Sequence, residues 1–340
     1  MKRYLTPLLV LSVALVLVTA VLLLSFQDSP TRAHEPHRRT DAVVTREPIV
    51  PLPLDVQVPI HKAALGERLF HDPTLSADRT VSCATCHPLD KAGADRLRVS
   101  QGIGGRQGKR NAPTVFNAAF NFALFWDARV ATLEDQVSGP LTNPDEMGSN
   151  WTEVIARLSA DAAYRAEFTR LYTDGITPGN VADAIAAFER TLVTPNSRFD
   201  RYLRGEQDAL NAVEMRGYAR FKELGCASCH QGVNIGGNLV QRFGVMDPAM
   251  KYAPAPARAD RGRFDITGRE EDRYVFKVPS LRNVAVTPPY FHGGGVNDLG
   301  EAVAIMGRSQ LGRELSDEDR TLIVAFLRSL TGRYAGKSLE

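Results

Sequence analysis

The chain has 340 residues, 44% hydrophobic and 24% charged, with 41 Lys and Arg against 39 Asp and Glu. At roughly 150 residues per domain this length suggests two domains, each able to bury a core without disulfides. A formal charge of +2 with no long basic run argues against nucleic-acid binding, and four cysteines are too few for a disulfide-rich secreted scaffold.

After Lys2 and Arg3, residues 4–27 carry no charge, and Leu8 to Leu24 is almost wholly Leu, Val and Ala. The run is long enough to cross a bilayer as a helix. It closes on Leu23-Leu24-Ser25-Phe26-Gln27, a poor cleavage site, so residues 1–27 are expected to be an uncleaved membrane anchor rather than a removed signal, with the rest exported. Residues 28–59, rich in charge and containing Pro48, Pro51, Pro53 and Pro59, read as an extended tether.

From Ile60 the pattern turns helical. Ile60 to Phe70 places Ala64, Leu65 and Leu69 on one face, and Glu206 to Leu224 does the same with Leu210, Val213, Tyr218 and Phe221. Val181 to Tyr202 and Asp317 to Leu330 also carry helical periodicity, the last with Ser316 as cap and acidic residues at its positive start. Alternating strand patterns are scarce. Two of these helices precede Cys83-Ala84-Thr85-Cys86-His87 and Cys226-Ala227-Ser228-Cys229-His230. Both are C-x-x-C-H, the attachment signature of c-type haem: two thiols one turn apart can form thioethers, and the adjacent His lies beneath the iron. A four-cysteine zinc site or a redox pair would use the thiols too, but neither calls for a His after each second Cys.

The reading is all-α, with two cytochrome c-like haem domains at 60–205 and 206–340. A repeat supports duplication: Pro113-Thr114-Val115-Phe116-Asn117 matches Pro279-Ser280-Leu281-Arg282-Asn283 at an offset of 166, which also aligns Val130, Leu133 and Val137 with Val296, Leu299 and Val303. Trp126 then falls opposite His292. The haem motifs are offset by only 143, so about 23 extra residues fall in the second half, with Gly244 to Gly268 expected as an interdomain or partner-facing loop. Met306 is the candidate sixth ligand of the second haem, or simply a core residue of an apolar helix face.

These residues resemble the bacterial dihaem cytochrome c peroxidases and the related MauG-type oxidases. The similarity runs from Leu65 to Leu330. It is carried by Leu65-Gly66-Glu67-Arg68-Leu69-Phe70, the first haem motif, Arg110-Asn111-Ala112-Pro113-Thr114, Phe125-Trp126-Asp127-Ala128-Arg129, Pro279-Ser280-Leu281-Arg282-Asn283, and Pro289-Tyr290-Phe291-His292-Gly293-Gly294 through to Met306.

The resemblance implies a peroxidatic first haem and a high-potential second haem that relays electrons. His87 and His230 would be proximal ligands and Met306 the second ligand of the relay haem. Cys83, Cys86, Cys226 and Cys229 would hold the two haems covalently. Glu146 matches the distal acid-base residue, Gln136 a neighbouring polar residue, and Trp126 the tryptophan between the haems. Asn111, Thr287 and Pro289 match positions that hold a calcium ion. Many relatives carry a His before Arg-Asn-Ala-Pro that closes the oxidised first haem, whereas this loop, Val99 to Gly108, has Ile103 near that place. His71 is the nearest spare imidazole and reads as a surface or core residue. The expectation is therefore a periplasmic, membrane-anchored peroxidase that reduces hydrogen peroxide with electrons from a small cytochrome c or cupredoxin, without reductive activation, with homodimers known in the family. The alternatives are a MauG-like oxidase of a partner protein, which the absent loop His favours and Met306 disfavours, and a dihaem electron carrier.

Overall fold

The computed structural model describes residues 47–248 and 260–339. The expected anchor at 1–27 lies outside the described residues, and among the described residues no helix is long and apolar enough to cross a membrane. The principal helices are α1 (Ile60–His71), α2 (Leu133–Thr142), α3 (Trp151–Ala160), α4 (Ala162–Leu171), α5 (Pro178–Thr191), α6 (Arg198–Leu203), α7 (Ala212–Glu223), α8 (Leu299–Leu311) and α9 (Asp317–Arg328). The strands are short: β1 (Val240–Arg242) pairs antiparallel with β2 (Val275–Lys277), and β3 (Arg333–Tyr334) with β4 (Lys337–Ser338).

Helix starts are set by side chains that accept otherwise unpaired backbone N–H groups. Thr132, Asn150, Asp161, Thr177, Ser197, Asn211, Asp298 and Ser316 do this for α2 to α9. The caps correct two expected helices. Val181 to Tyr202 is not continuous: α5 stops at Thr191, and α6 restarts after Pro195 on the Ser197 cap. The helix expected from Glu206 begins at Ala212, where Asn211 and Glu214 cap each other's backbone N–H.

Two helix pairs organise the packing, α1 against α5 and α7 against α9. A Cβ on Gly66 would lie 1.8 Å from the Ala184 carbonyl oxygen and 2.9 Å from Phe188 Cβ. One on Gly217 would lie 2.0 Å from the Leu322 oxygen and 3.0 Å from Phe326 Cβ. In each pair only a glycine lets the two backbones meet. The first pair is surrounded by Leu65, Leu69, Leu141, Val154, Phe168 and Ile185. The second packs with Phe199, Tyr218, Phe221, Ile323 and Phe326, so α6 shares the core of the chain's second half.

The 166-residue repeat is visible in the backbone. Asn117 and Asn283 have φ of 62° and 61°, and Phe125 and Phe291 have 62° and 67°. The bridge Leu124–Val130 recurs as Tyr290–Val296. Such left-handed residues are uncommon outside glycine, and their pairing places equivalent bends in both halves.

The last part of the expected tether belongs to the folded body. Ile49 and Leu52, apolar residues between prolines, are 2% and 1% exposed. Leu52 N donates to Asp200 Oδ1 at 3.1 Å, and the Val50 carbonyl accepts from Arg282 Nη2 at 3.0 Å. Arg282 and Asp200 form an ion pair at 2.7 Å with side chains 1% and 0% exposed. Arg282 also donates to the Val233 carbonyl, which ties three separated segments together. Removing one partner of a buried pair strands the other charge. Asp200→Asn is therefore expected to lower unfolding free energy by about 3–5 kcal/mol, measured by denaturant titration of the haem-loaded protein; an unchanged midpoint would deny the pair this role.

Candidate active site

Cys83–Cys86 forms a single helical turn, with Ser82 and Thr85 capping one another. His87 follows, its backbone N–H bonded to the Cys83 carbonyl at 2.9 Å. Its Nδ1 lies 3.1 Å from the Gly93 carbonyl. Donation there fixes the ring and leaves Nε2 as the free ligating atom. Burial lowers the His87 pKa, favouring the neutral imidazole a metal needs. In the second motif Cys226–Ser228 forms a 3-10 turn, and His230 N–H bonds the Cys226 carbonyl at 3.0 Å. The His230 Nδ1 is buried without a hydrogen-bond partner, and burial pushes its pKa down to about 4.

No disulfide joins any of the four cysteines. Burial pushes the Cys83 pKa up to about 12 and those of Cys86 and Cys226 up to about 11. Among the described residues no cluster of three or more His, Cys, Asp or Glu converges as a metal site, which gives the zinc alternative no support. The residues fit haem instead: each motif presents two cysteines one turn apart with a desolvated imidazole at the next position. A cavity beside the first motif is lined by Leu75, Cys83, Gln136, Pro140, Met147 and Glu189, among others.

Glu146 borders this region on the turn after α2. Asn143 Nδ2 donates to its Oε1 at 2.7 Å. Desolvation raises the Glu146 pKa above the ordinary carboxylate value, against the opposing effects of Asn143 and Arg129. Its charge also raises the Cys86 pKa, which places the carboxylate near the first motif. Gln136 thus lies on the cavity wall, and Glu146 immediately precedes Met147, another residue of that wall. His71, by contrast, is exposed, with Nδ1 against the Glu67 carbonyl at 2.9 Å.

The loop carrying Ile103 is clasped to the Glu146 turn. Ile103 N–H donates to the Glu146 carbonyl at 2.8 Å, and Arg106 Nη1 to the Pro144 carbonyl at 2.9 Å. A Cβ on Gly102 would stand 2.2 Å from the Asp145 oxygen and 2.4 Å from the Glu146 oxygen.

Trp126 leaves the first half and packs in a cluster with Phe243, Phe276, Tyr290, Ile305 and Met306. Its Nε1 donates to the Asn111 carbonyl at 2.9 Å, and its own carbonyl accepts from Lys277 N at 2.7 Å. The Trp126 and His292 rings, related by the repeat, meet edge to face at 6.3 Å. Met306 is half-buried on α8 within the same cluster. Asn111 N–H bonds the His292 carbonyl at 2.8 Å and its Nδ2 donates to the Leu97 carbonyl at 2.9 Å. The stretch holding Thr287 and Pro289 leads directly into His292, so Asn111 and that stretch approach one another.

Comparisons with known proteins identify the family. The profile of the family described as di-haem cytochrome c peroxidase matches residues 60–208. The chain is 48% identical over 289 residues to the cytochrome c peroxidase Ccp of Escherichia coli, covering 85% of this chain and 62% of the relative. It is 44% identical over 291 residues to the cytochrome c551 peroxidase of Nitrosomonas europaea, covering 85% and 86%. The chain belongs to the di-haem cytochrome c peroxidase family. A solved MauG-like protein associated with microbial copper homeostasis has the same fold, with a TM-score of 0.72, 31% identity and coverage of 83% and 93%. Membership makes this chain a haem-peroxidase oxidoreductase with two haems.

Reading the sequence left two buried groups, Glu189 and Lys277, and the partners of half-buried Arg110 unnoticed. Glu189 sits one helical turn after Ile185 on the apolar face of α5, and Lys277 ends a buried strand. Arg110 lies in the quoted family motif, but its partners could not be read from it: Asp260, at 2.6 Å, and Asp127, at 2.5 Å. Asp260 belongs to the loop expected to be interdomain or partner-facing, of which 249–259 lie outside the described residues; its described end is tied to the first half. For the clasp, Gly102→Ala is expected to cost about 1–3 kcal/mol through the forced backbone shift. Denaturant unfolding of the haem-loaded protein measures this, and full stability would mean that the loop does not hold the Glu146 turn.

Proposed function

We propose that this protein is a periplasmic cytochrome c peroxidase. It reduces hydrogen peroxide to two waters with two protons and two electrons from a small exported cytochrome c or cupredoxin, and it needs no reductive activation. The observation that carries the reading is the desolvated Glu146 beside the cavity at the first C-x-x-C-H motif, with Gln136 on the cavity wall. An electron carrier has no use for a half-buried general base there.

Cys83, Cys86 and His87 would hold one haem, and Cys226, Cys229, His230 and Met306 the other, in domains at 60–205 and 206–340. When bound, the haems supply one iron centre for O–O cleavage and one for electron relay. Glu146, as carboxylate, takes the proton from the near oxygen of hydrogen peroxide and returns it to the far oxygen, making water the leaving group. Asn143 orients the carboxylate through its 2.7 Å hydrogen bond. Gln136 offers an amide to the peroxide and holds it in the cavity. The clasp between Ile103 and the Glu146 turn keeps this geometry without an imidazole that must leave. Trp126, packed with Met306 and edge to face with His292, is the aromatic group through which electrons pass between the halves.

Asn111, with backbone carbonyls of Thr287 and Pro289, suits calcium, whose hard oxygen ligands include amide and carbonyl groups. The apolar run at 4–27 is the membrane anchor in this reading, and a homodimer is the assembly that the family suggests. The MauG-like reading draws on Ile103 in place of a loop His. Met306 and the higher identity to named peroxidases favour the peroxidase.

Steady-state peroxide consumption by the fully oxidised, haem-loaded protein, with a reduced small cytochrome c as donor, tests the proposal. Turnover is expected without pre-reduction, and Glu146→Gln is expected to lower it by about 10²–10⁴-fold. Turnover only after pre-reduction would remove the open resting state, and none with several donors would remove the peroxidase reading. The raised Glu146 pKa gives the sign of the pH profile. The base is lost by protonation as pH falls, and this happens at higher pH than for an ordinary Glu. The acid limb of kcat/KM should therefore lie above about 4.3, the unperturbed value; a limb at or below it would exclude Glu146 as the base.

A further inference from the structure

Each peroxide consumed requires two protons from solvent. Glu146 cannot supply them, because the proton it moves is already on the substrate. A second carboxyl group stands on the wall of the same cavity. Glu189 of α5 is 7% exposed and lines the cavity with Cys83, Gln136, Pro140 and Met147. Its Oε2 is sealed from solvent and has no hydrogen-bond partner. An ionised carboxylate is costly in such a place, whereas the neutral acid is tolerated. Burial pushes its pKa up to about 8.

The neighbouring charges arrange a way in. Arg190, next on α5, pairs at 2.7 Å with Glu134 of α2, and their side chains are 40% and 31% exposed. Arg190 lowers the Glu189 pKa and Glu134 raises it, so both lie within electrostatic reach. Cys83 of the first motif lines the same cavity as Glu189 and brings no charge of its own when it holds the haem. On α1, Lys62 is paired with Asp183 of α5, Arg68 with Glu167, and His71 points its Nδ1 at the Glu67 carbonyl. None of these neutralises Glu189. From outside inwards the order is therefore the solvent-facing Glu134–Arg190 pair, Glu189, and the cavity with Gln136 on its wall.

We propose that Glu189 is the proton reservoir of the first haem site, filled from solvent past Glu134 and discharged into the cavity as electrons arrive. The inference rests on the peroxidase reading above. In each cycle two electrons come from the reduced donor. Glu189 gives up a proton to oxygen derived from peroxide, becomes a carboxylate, and is reprotonated from solvent before the second delivery. The products are two waters and two oxidised donor molecules. Reduction adds negative charge beside Glu189 and so tightens its hold on a proton.

The test is the reduction potential of the first haem against pH in the haem-loaded, peroxide-free protein, by optical redox titration from pH 6 to 10. Proton activity changes tenfold per pH unit, which moves a one-electron, one-proton couple by about 59 mV. The wild type is expected to approach that slope above pH 8. Glu189→Gln, which keeps the neutral shape, is expected to flatten it and to slow turnover at least tenfold, while Glu189→Asp restores part of both. A flat wild-type profile, or an equal slope in Glu189→Gln, would overturn the proposal. Because the titration contains no peroxide, a sloped profile in a protein that fails to consume peroxide would reject the peroxidase reading alone.

Discussion

Both halves of the molecule depend on one steric constraint: the contact of a glycine with the backbone of a facing helix. Gly66 touches Ala184 and Gly217 touches Leu322, each with a phenylalanine one turn further along the partner. Close approach maximises dispersion contact and fixes the crossing of the pair. Each pair then delivers a C-x-x-C-H turn a short distance after its first helix, so the thiols and imidazole inherit their position from a packed interface. The repeated αL bends at Asn117 and Asn283, and at Phe125 and Phe291, turn the following segments the same way.

The halves diverge where chemistry differs. In the first, the segment after Phe125 runs into α2 and a turn that carries Glu146 beside a cavity. In the second, the equivalent segment leads into α8 and places Met306 among aromatic side chains. A duplicated frame thus offers a polar, hydrogen-bonded environment in one copy and an apolar one in the other. Trp126 and His292 occupy equivalent positions in the repeat, yet they touch, so the halves meet near their local symmetry axis.

Much of this was legible in the sequence because covalent chemistry and repetition leave rigid spacing. The two C-x-x-C-H turns, the helical class, the α9 cap at Ser316 and the 166-residue offset all follow from local pattern. Other features depend on contacts that one stretch of sequence does not contain. The break between α5 and α6 required weighing Pro195 against a strong apolar period. Helices α2 to α4 are short, and Pro140 obscures the first of them. Ile49 and Leu52 looked like part of a Pro-rich tether because their partners, Asp200 and Arg282, lie 148 and 232 residues away along the chain from Leu52 and Val50. The buried charge of Glu189 was hidden by its neighbour Arg190, which makes the local sequence read as solvated surface.

The β3–β4 hairpin, near the end of the second half in sequence, packs against the first. Tyr334 and Leu339 join the cluster around Phe70, Phe116 and Phe188, with the Tyr334 and Phe116 rings 4.8 Å apart and Cys83 at its edge. The apolar surroundings of the first motif are therefore completed by residues some 250 positions further along the chain. A change at Tyr334 would therefore be felt at Phe116 and the first motif, although the two lie at opposite ends of the described fold's sequence.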